Sequence, residues 1–481
     1  MKSFAKKVVN LIPKKKVEYA DVRVVEEQSE GISVKNGNVE GVSSSTTLGF
    51  GVRVLVDGAW GFASSSKMEI KEAEKIVKQA IAIAKASALA KGEKVRLAEA
   101  KPIKDSWKSR YQKDPFAVSL DDKIALLLTA DEIMRKYPEI KVARGILTAY
   151  RNHKVFASTE GSLIEQEVTE CGGGISALAV KEGEVQIRSY PNIGGDWSVK
   201  GYEYIEQMKL VENANRTAEE AVKLLSAPIC PSKITSIIIG SSQLALQVHE
   251  SIGHPIELDR VFGTEASYAG TSFVTIEKLG NFRYGSPLVN VYADATVESG
   301  LGTFGYDDEG VPGQRVPIIK EGIFSGYLSS RETAPLIGLK SSGGAMRADG
   351  WNRIPLIRMT NINLQPGEWK LEDLIADTDD GVFFETTKTW SIDDKRLNFE
   401  FATEIAWEIK NGKLGQIFKD ATYTGITPQF WNSCDAICNK NYWHLWGVPN
   451  CGKGQPGQTA HVGHGVAPAR FRNVQVGLVK T

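Results

Sequence analysis

The sequence predicts an α+β fold in two domains: a mixed helix and strand domain over residues 1–226 and a β-rich domain over residues 232–481. Three observations lead there. Helix and strand signals in the first half lack the regular βαβ alternation that a doubly wound parallel sheet needs. A double-proline break, Ala227-Pro228-Ile229-Cys230-Pro231, separates the halves. Beyond it, after one strand and one helix, the signals are mostly β. The length of 481 residues also exceeds one compact domain.

The first 20 residues read as helix, and Ala20 to Glu26 as a strand. Gly31 to Lys35 turns through Asn36-Gly37-Asn38 into Val39 to Val42, and Gly49 to Val56 turns through Asp57-Gly58 into Ala59 to Ala63. Asx-Gly between alternating runs is a strong hairpin signal, because both turn residues must adopt positive φ. Glu69 to Gly92 reads as one amphipathic helix with Ile76, Val77, Ala80, Ile81, Ile83 and Ala84 on its apolar stripe. Residues 120–136 make another helix, started by Ser119 or Asp121. Strands run from Lys141 to Glu167, with turn chemistry at Ser158-Thr159-Glu160-Gly161, and residues 201–226 read as helix. After the proline break, Ile234 to Ile239 is a strand and Ser241 to Gly253 a helix. The remaining strand signals are Leu288 to Ala293, Val316 to Glu321, Ile357 to Leu364, Phe399 to Lys410 and Lys413 to Phe418, the last two joined at Asn411-Gly412. Cys171-Gly172-Gly173-Gly174 lacks the spacing and the strand-to-helix context of a nucleotide-binding loop.

Composition narrows the function. Hydrophobic residues are 42 % and charged residues 24 %, an ordinary globular balance. Lys plus Arg and Asp plus Glu number 58 each, so net charge gives no reason for a nucleic-acid or membrane partner. The basic start, including Lys14-Lys15-Lys16, has no apolar segment behind it and does not read as a signal peptide. No stretch approaches the roughly 18 apolar residues of a membrane span. The expected compartment is the cytoplasm. Five widely spaced cysteines do not make a disulfide framework; Cys434 and Cys438 are expected to pack or to pair incidentally.

The chemistry concentrates in His249-Glu250-Ser251-Ile252-Gly253-His254. With these residue frequencies an accidental H-E-x-x-x-H is expected on the order of 0.005 times per chain. Two imidazoles can hold a metal, and a carboxylate beside the first can act on a metal-bound water. At i and i+5 the imidazoles would lie about 140° apart on an ideal α-helix, so the backbone between them must depart from α geometry. Gly253 is permissive, Pro255 is expected to push His254 out of the α region, and a π-bulge would also bring i and i+5 together. His254 is expected at or just past the frayed helix end.

A hydrolytic metal site needs a third protein ligand. Glu257 and Asp259 are local candidates. Cys451, expected in the polar, Gly-rich turn Asn450-Cys451-Gly452-Lys453-Gly454-Gln455, is a better one, since a structural cysteine would sit among apolar neighbours. His461 and His464 could form a site of their own or be loop residues. Tyr306, Arg347 and His461 are candidates for stabilising an oxyanion.

These residues resemble the TldD/PmbA family of metallopeptidases, in its TldD branch. The resemblance spans nearly the whole chain. It rests on Gly51 to Ala63, the H-E-x-x-x-H segment, Phe304-Gly305-Tyr306-Asp307-Asp308-Glu309-Gly310, Gly322 to Leu328, and Asn450 to Gln455. It implies that His249, His254 and Cys451 bind zinc, with Glu250 as catalytic base. It also implies a two-domain α+β fold, unfolded peptides bound as extended strands in an enclosed cavity, and a dimer formed with a second copy or with a PmbA/TldE-like subunit. His461, His464 and the Trp-rich stretch Trp431 to Trp446 are departures that bear on substrate preference.

The expected function is therefore zinc-dependent peptide hydrolysis with Glu250 as general base. The alternatives are a non-catalytic peptide-binding or assembly protein with a structural metal, and an amidohydrolase of small molecules. Glu250 separates the first alternative from the enzyme, because a structural site has no use for it; dependence on peptide length separates the second.

Overall fold

The structure is a computed structural model and describes residues 1–13, 17–90 and 92–477. Lys14-Lys15-Lys16 lie outside the described residues. The architecture is α+β. An eight-stranded sheet occupies the first half, in the order Ala59–Ser65, Asn38–Val56, Tyr19–Lys35, Ile140–Ser158, Leu163–Lys181, Lys104–Lys108; Glu184–Tyr190 and Asp196–Ser198 also pair with Leu163–Lys181. The turns at Asn36-Gly37, Asp57-Gly58 and Asn411-Gly412 have positive φ at both residues, as their sequences require. Glu182-Gly183 makes the same turn and closes a hairpin that the sequence did not announce, because Glu is a poor signal for that conformation.

The helices of this half pack on one face of the sheet. Alternation along the strands assigns the two faces. Val22, Val24, Phe50, Val52 and Val54 meet the helices Lys2–Leu11 and Ile70–Ser87, while Ile32, Val34, Leu147 and Ala149 meet Leu120–Met134 and Leu210–Leu225. Ser119 caps the helix Leu120–Met134, its side chain accepting from the Asp122 amide. The expected helix over 201–226 is broken in two. Lys209 adopts a left-handed conformation, φ 52°, ψ 52°, between Glu203–Met208 and Leu210–Leu225. The other face of the sheet is polar and meets the second half. There Arg23 pairs with Asp308 at 3.4 Å, Lys154 also pairs with Asp308, and Arg53 lies between Asp21 at 2.7 Å and Glu309 at 3.4 Å.

The second half is organised by a barrel. The strands Asp380–Ile392, Lys233–Ile239, Ala469–Val476, Ala421–Ile426 and Asn398–Lys410 follow in that order, and Asn398–Lys410 pairs back onto Asp380–Ile392, closing the ring. Closure leaves no free edge among these strands. A core around Ile238, Phe384, Phe401, Tyr423 and Trp431 fills this half. Cys434 and Cys438 are free, buried members of that core, so the packing alternative holds and the disulfide one does not. A two-stranded ribbon, His444–Lys453 with Gln458–Val466, lies against the helix that leaves the first barrel strand. Among the described residues no helix is long and apolar enough to cross a membrane.

Candidate metal centre and cavity

The barrel strand Lys233–Ile239 feeds the helix Ser241–Val248, which continues as a π-helical turn over His249–Gly253. The His254 amide donates to the His249 carbonyl at 3.1 Å, the i to i+5 bond that defines the turn. Widening the turn brings both imidazoles to one side, with ring centroids 4.8 Å apart. The expected displacement of His254 by Pro255 does not occur. His254 is right-handed helical, φ −68°, ψ −41°, because the π turn alone makes the correction and the pre-proline restriction is only a bias. Gly253 serves close packing rather than unusual backbone: a Cβ there would lie 2.3 Å from the Met359 Sδ. The turn is held from outside by Tyr284, whose hydroxyl donates to the Ser251 carbonyl, and by Trp431, whose Nε1 donates to Ser251 Oγ at 2.9 Å.

Cys451 arrives on the ribbon. It was expected in a turn, but it lies in the strand His444–Lys453, just after a register shift between Val448 and Cys451. The Gly-rich sequence reflects that irregularity. The donor atoms of His249, His254 and Cys451 all lie within 4.8 Å of one another, and Cys451 Sγ is 3.8 Å from His254 Nε2. All three residues are buried.

The rest of the shell orients these groups. His249 Nδ1 is 2.7 Å from His464 Nε2, and His254 Nδ1 is 3.1 Å from Glu257 Oε2. Both rings thus use Nδ1 for support and leave Nε2 toward the common point, the usual arrangement behind a metal-ligating histidine. Glu257 in turn contacts Lys453 at 3.3 Å, and the fully buried Lys453 also holds Asp259 at 2.7 Å. Burial opposes a charged Cys451, but His249, His254 and Arg358 draw its thiol well below the ordinary value. Burial also opposes a charged His254, but Cys451 and Glu257 lift it to about 9. Sulfur and imidazole thus favour a thiolate–imidazolium pair, and a metal ion held there would take the place of its proton. His464 is pushed well below its ordinary value, first by burial and then by His249 and His254. It stays neutral, as an acceptor must.

Glu250 sits beside the triad, buried, with Oε2 paired to Arg396 Nη1. Burial would raise its carboxyl; the charges of His249, His254 and Arg396 and a hydrogen bond to Trp390 hold it below the usual carboxylate range. Arg396 went unnoticed in the sequence, where it is one charge in Asp393-Asp394-Lys395-Arg396. Its φ of 63° marks the turn that presents it.

A cavity of about 660 Å³ opens on this centre. It is lined by His249, Glu250, His254, Cys451 and Arg396 and by the apolar walls Trp197, Trp390 and Trp446. The other sequence candidates fall elsewhere. Glu257 and Asp259 support rather than join the triad. His461 pairs with Glu170, so His461 and His464 form no site of their own. Tyr306, Arg347 and His461 line a separate cavity of about 320 Å³ between the halves and are not among the residues lining the triad cavity. Alternation explains His461: its neighbour Ala460 pairs with Cys451, so His461 points to the opposite face.

A closed barrel, an i to i+5 histidine pair and a cysteine brought to it across the ribbon make a site whose donors could hold a metal ion beside a carboxylate. Comparison with known proteins narrows the class. The family models described as PmbA/TldA metallopeptidase domain 1, central domain and C-terminal domain match residues 20–84, 113–227 and 232–478. A metalloprotease of Methanocaldococcus jannaschii is 33 % identical over 93 % of this chain and 94 % of its own. A zinc metalloprotease TldD homolog of Saccharolobus solfataricus is 22 % identical over 91 % of each chain. Two solved structures share the fold, each covering 99 % of both chains: a Thermotoga maritima protein at 18 % identity with a TM-score of 0.79, and TldE of Thermococcus kodakarensis at 16 % with 0.72. The chain belongs to the PmbA/TldD family and is a metallopeptidase.

Proposed function

We propose that the chain is a zinc peptidase in which His249, His254 and Cys451 hold the metal and Glu250 is the general base. The observation that carries this is the convergence of the three donors within 4.8 Å, both imidazoles braced at Nδ1, with a buried carboxylate alongside. The donor set fits the ion. Two imidazoles and a thiolate suit zinc, whereas magnesium and calcium prefer oxygen. A zinc ion held there would supply Lewis acidity to a scissile carbonyl and to a water.

Glu250 takes the water's proton and passes it to the leaving amine. Arg396 fixes the carboxylate while the site is empty of substrate. His464 and Glu257 keep the rings in register. Trp197, Trp390 and Trp446 give the cavity apolar walls. A cavity of about 660 Å³ has the scale of a small-ligand site and admits no folded chain, which favours unfolded peptides bound extended. The same reading includes two domains divided at residues 226 to 232, a cytoplasmic location, and a dimer with a second copy or a TldE-like subunit. A peptide-binding protein with a structural metal is disfavoured by Glu250, a charged side chain facing the cavity with no structural duty toward the ligands.

Metal analysis of the purified protein beside Cys451→Ala tests the site. About one zinc per chain in the wild type and a clear loss in the variant are expected. Undiminished zinc in Cys451→Ala would remove the thiolate from the ligand set. No zinc in a wild type supplied with it would remove zinc as the metal.

A further inference from the structure

We propose that Arg396 is a receptor for a substrate carboxylate, so that the site takes peptides carrying a free carboxylate close after the scissile bond. This rests on the peptidase reading above and adds its substrate class.

Arg396 is the only lysine or arginine among the cavity's lining residues. It stands amid apolar walls, where an unpaired cation is unfavourable and a paired one is selective. Its guanidinium is half used. Nη1 meets Glu250, Nε is buried without a partner, and Nη2 makes no hydrogen bond among the described residues. The Glu250 contact itself demonstrates that a carboxylate fits against this guanidinium, and the planar fork has donors left for a second one.

The side chain is also held ready. Asp393 accepts from the Leu397 amide at 2.7 Å and the Asn398 amide at 3.1 Å, and the Arg396 carbonyl accepts from Thr427 Oγ1 at 2.9 Å. Because Arg396 lies one hydrogen bond from Glu250, and Glu250 adjoins His249, the carboxylate it receives belongs within about two residues of the cleaved bond, given roughly 3.3–3.6 Å of chain per extended residue. A peptide C-terminus and an acidic side chain present the same group at that range.

Calorimetry with three product-like peptides tests this on the zinc-loaded protein and on Arg396→Gln: N-acetyl-Ala-Ala, its C-terminal amide, and N-acetyl-Ala-Asp amide. In the wild type, amidation of N-acetyl-Ala-Ala should weaken binding roughly tenfold or more, the scale of a charge-assisted hydrogen bond. In Arg396→Gln the acid and the amide should bind alike. Recovery of affinity by the Asp amide, again lost in Arg396→Gln, assigns the carboxylate to a side chain instead of the terminus. Equal binding of all three peptides by the wild type overturns the proposal. So does an acid preference that survives in Arg396→Gln, because the carboxylate is then held by the metal. Arg396→Lys, which keeps the cation, should retain part of the preference, and unchanged zinc content in both variants excludes general damage. Turnover is read separately: a wild type that hydrolyses no peptide refutes the peptidase reading, whereas hydrolysis of acid and amide at equal rates, with equal binding, refutes only the receptor.

Discussion

Replacing His464 with alanine should weaken zinc binding without removing a ligand. His464 Nε2 lies 2.7 Å from His249 Nδ1, both rings are buried, and with the metal on His249 Nε2 the Nδ1–H donates to His464. The variant leaves a buried N–H without its acceptor, a loss of about 1–3 kcal/mol. At about 1.4 kcal/mol per tenfold change, that predicts a fall in affinity of about fivefold to a hundredfold, in line with the roughly 10–100-fold typical of residues behind a metal-bound histidine. His464→Gln retains an acceptor and should lose less than His464→Ala. The assay is competition for zinc against a chromogenic chelator, with circular dichroism confirming that each variant is folded. A folded His464→Ala that binds zinc within about twofold of wild type would refute the reasoning, since it would mean that His249 does not coordinate through Nε2 with Nδ1 braced behind it.

Three further outcomes follow from the same structure. Glu250→Gln should keep its zinc and lose at least about a hundredfold in turnover, the lower end of general-base contributions; retained hydrolysis would remove Glu250 from the mechanism. Gly253→Ala places a Cβ 2.3 Å from Met359 Sδ and should destabilise by about 1–3 kcal/mol, with partial recovery in the double variant Gly253→Ala, Met359→Ala; a denaturation midpoint equal to wild type would show that the π turn has slack. Asp308→Asn leaves Arg23 and Lys154 without their shared carboxylate and should cost about 3–5 kcal/mol. Burial opposes the charge on Asp308, but Lys154 and Arg23 hold its carboxyl below the ordinary value. The stabilisation is therefore present above the unfolded pKa of about 3.9 and fades as pH falls through the lower folded value. A melting-temperature difference between wild type and Asp308→Asn that stays constant down to pH 3 contradicts this.

Local chemistry made part of the molecule legible. Asn36-Gly37, Asp57-Gly58 and Asn411-Gly412 specify their turns because few residues tolerate positive φ at both positions. Ser119 marks a helix start because its side chain can pair with an orphan amide. The i to i+5 spacing of His249 and His254 demanded a distorted helix, and a π turn supplied it. Long-range pairing was not legible. The barrel strands Asp380–Ile392, Ala421–Ile426 and Ala469–Val476 give weak local signals, since strands buried in a closed barrel take their order from partners far away in sequence. Lys209 broke a helix that its periodicity would have continued. The residues of the proposed site follow the same division: His249 and His254 are a local motif, whereas Cys451 was singled out only by its polar surroundings and Arg396 by nothing local.

The barrel has a consequence for biosynthesis. Its first strand, Lys233–Ile239, pairs with its last, Ala469–Val476, and Cys451 lies on the ribbon that precedes that last strand. On the ribosome, both histidines and Glu250 emerge some two hundred residues ahead of the sulfur that completes their site. With the proposed ligand set, a chain still being made holds no finished metal centre until the ring can close. For a protein whose proposed substrates are unfolded polypeptides, that order of assembly keeps each chain from cutting itself before it has folded.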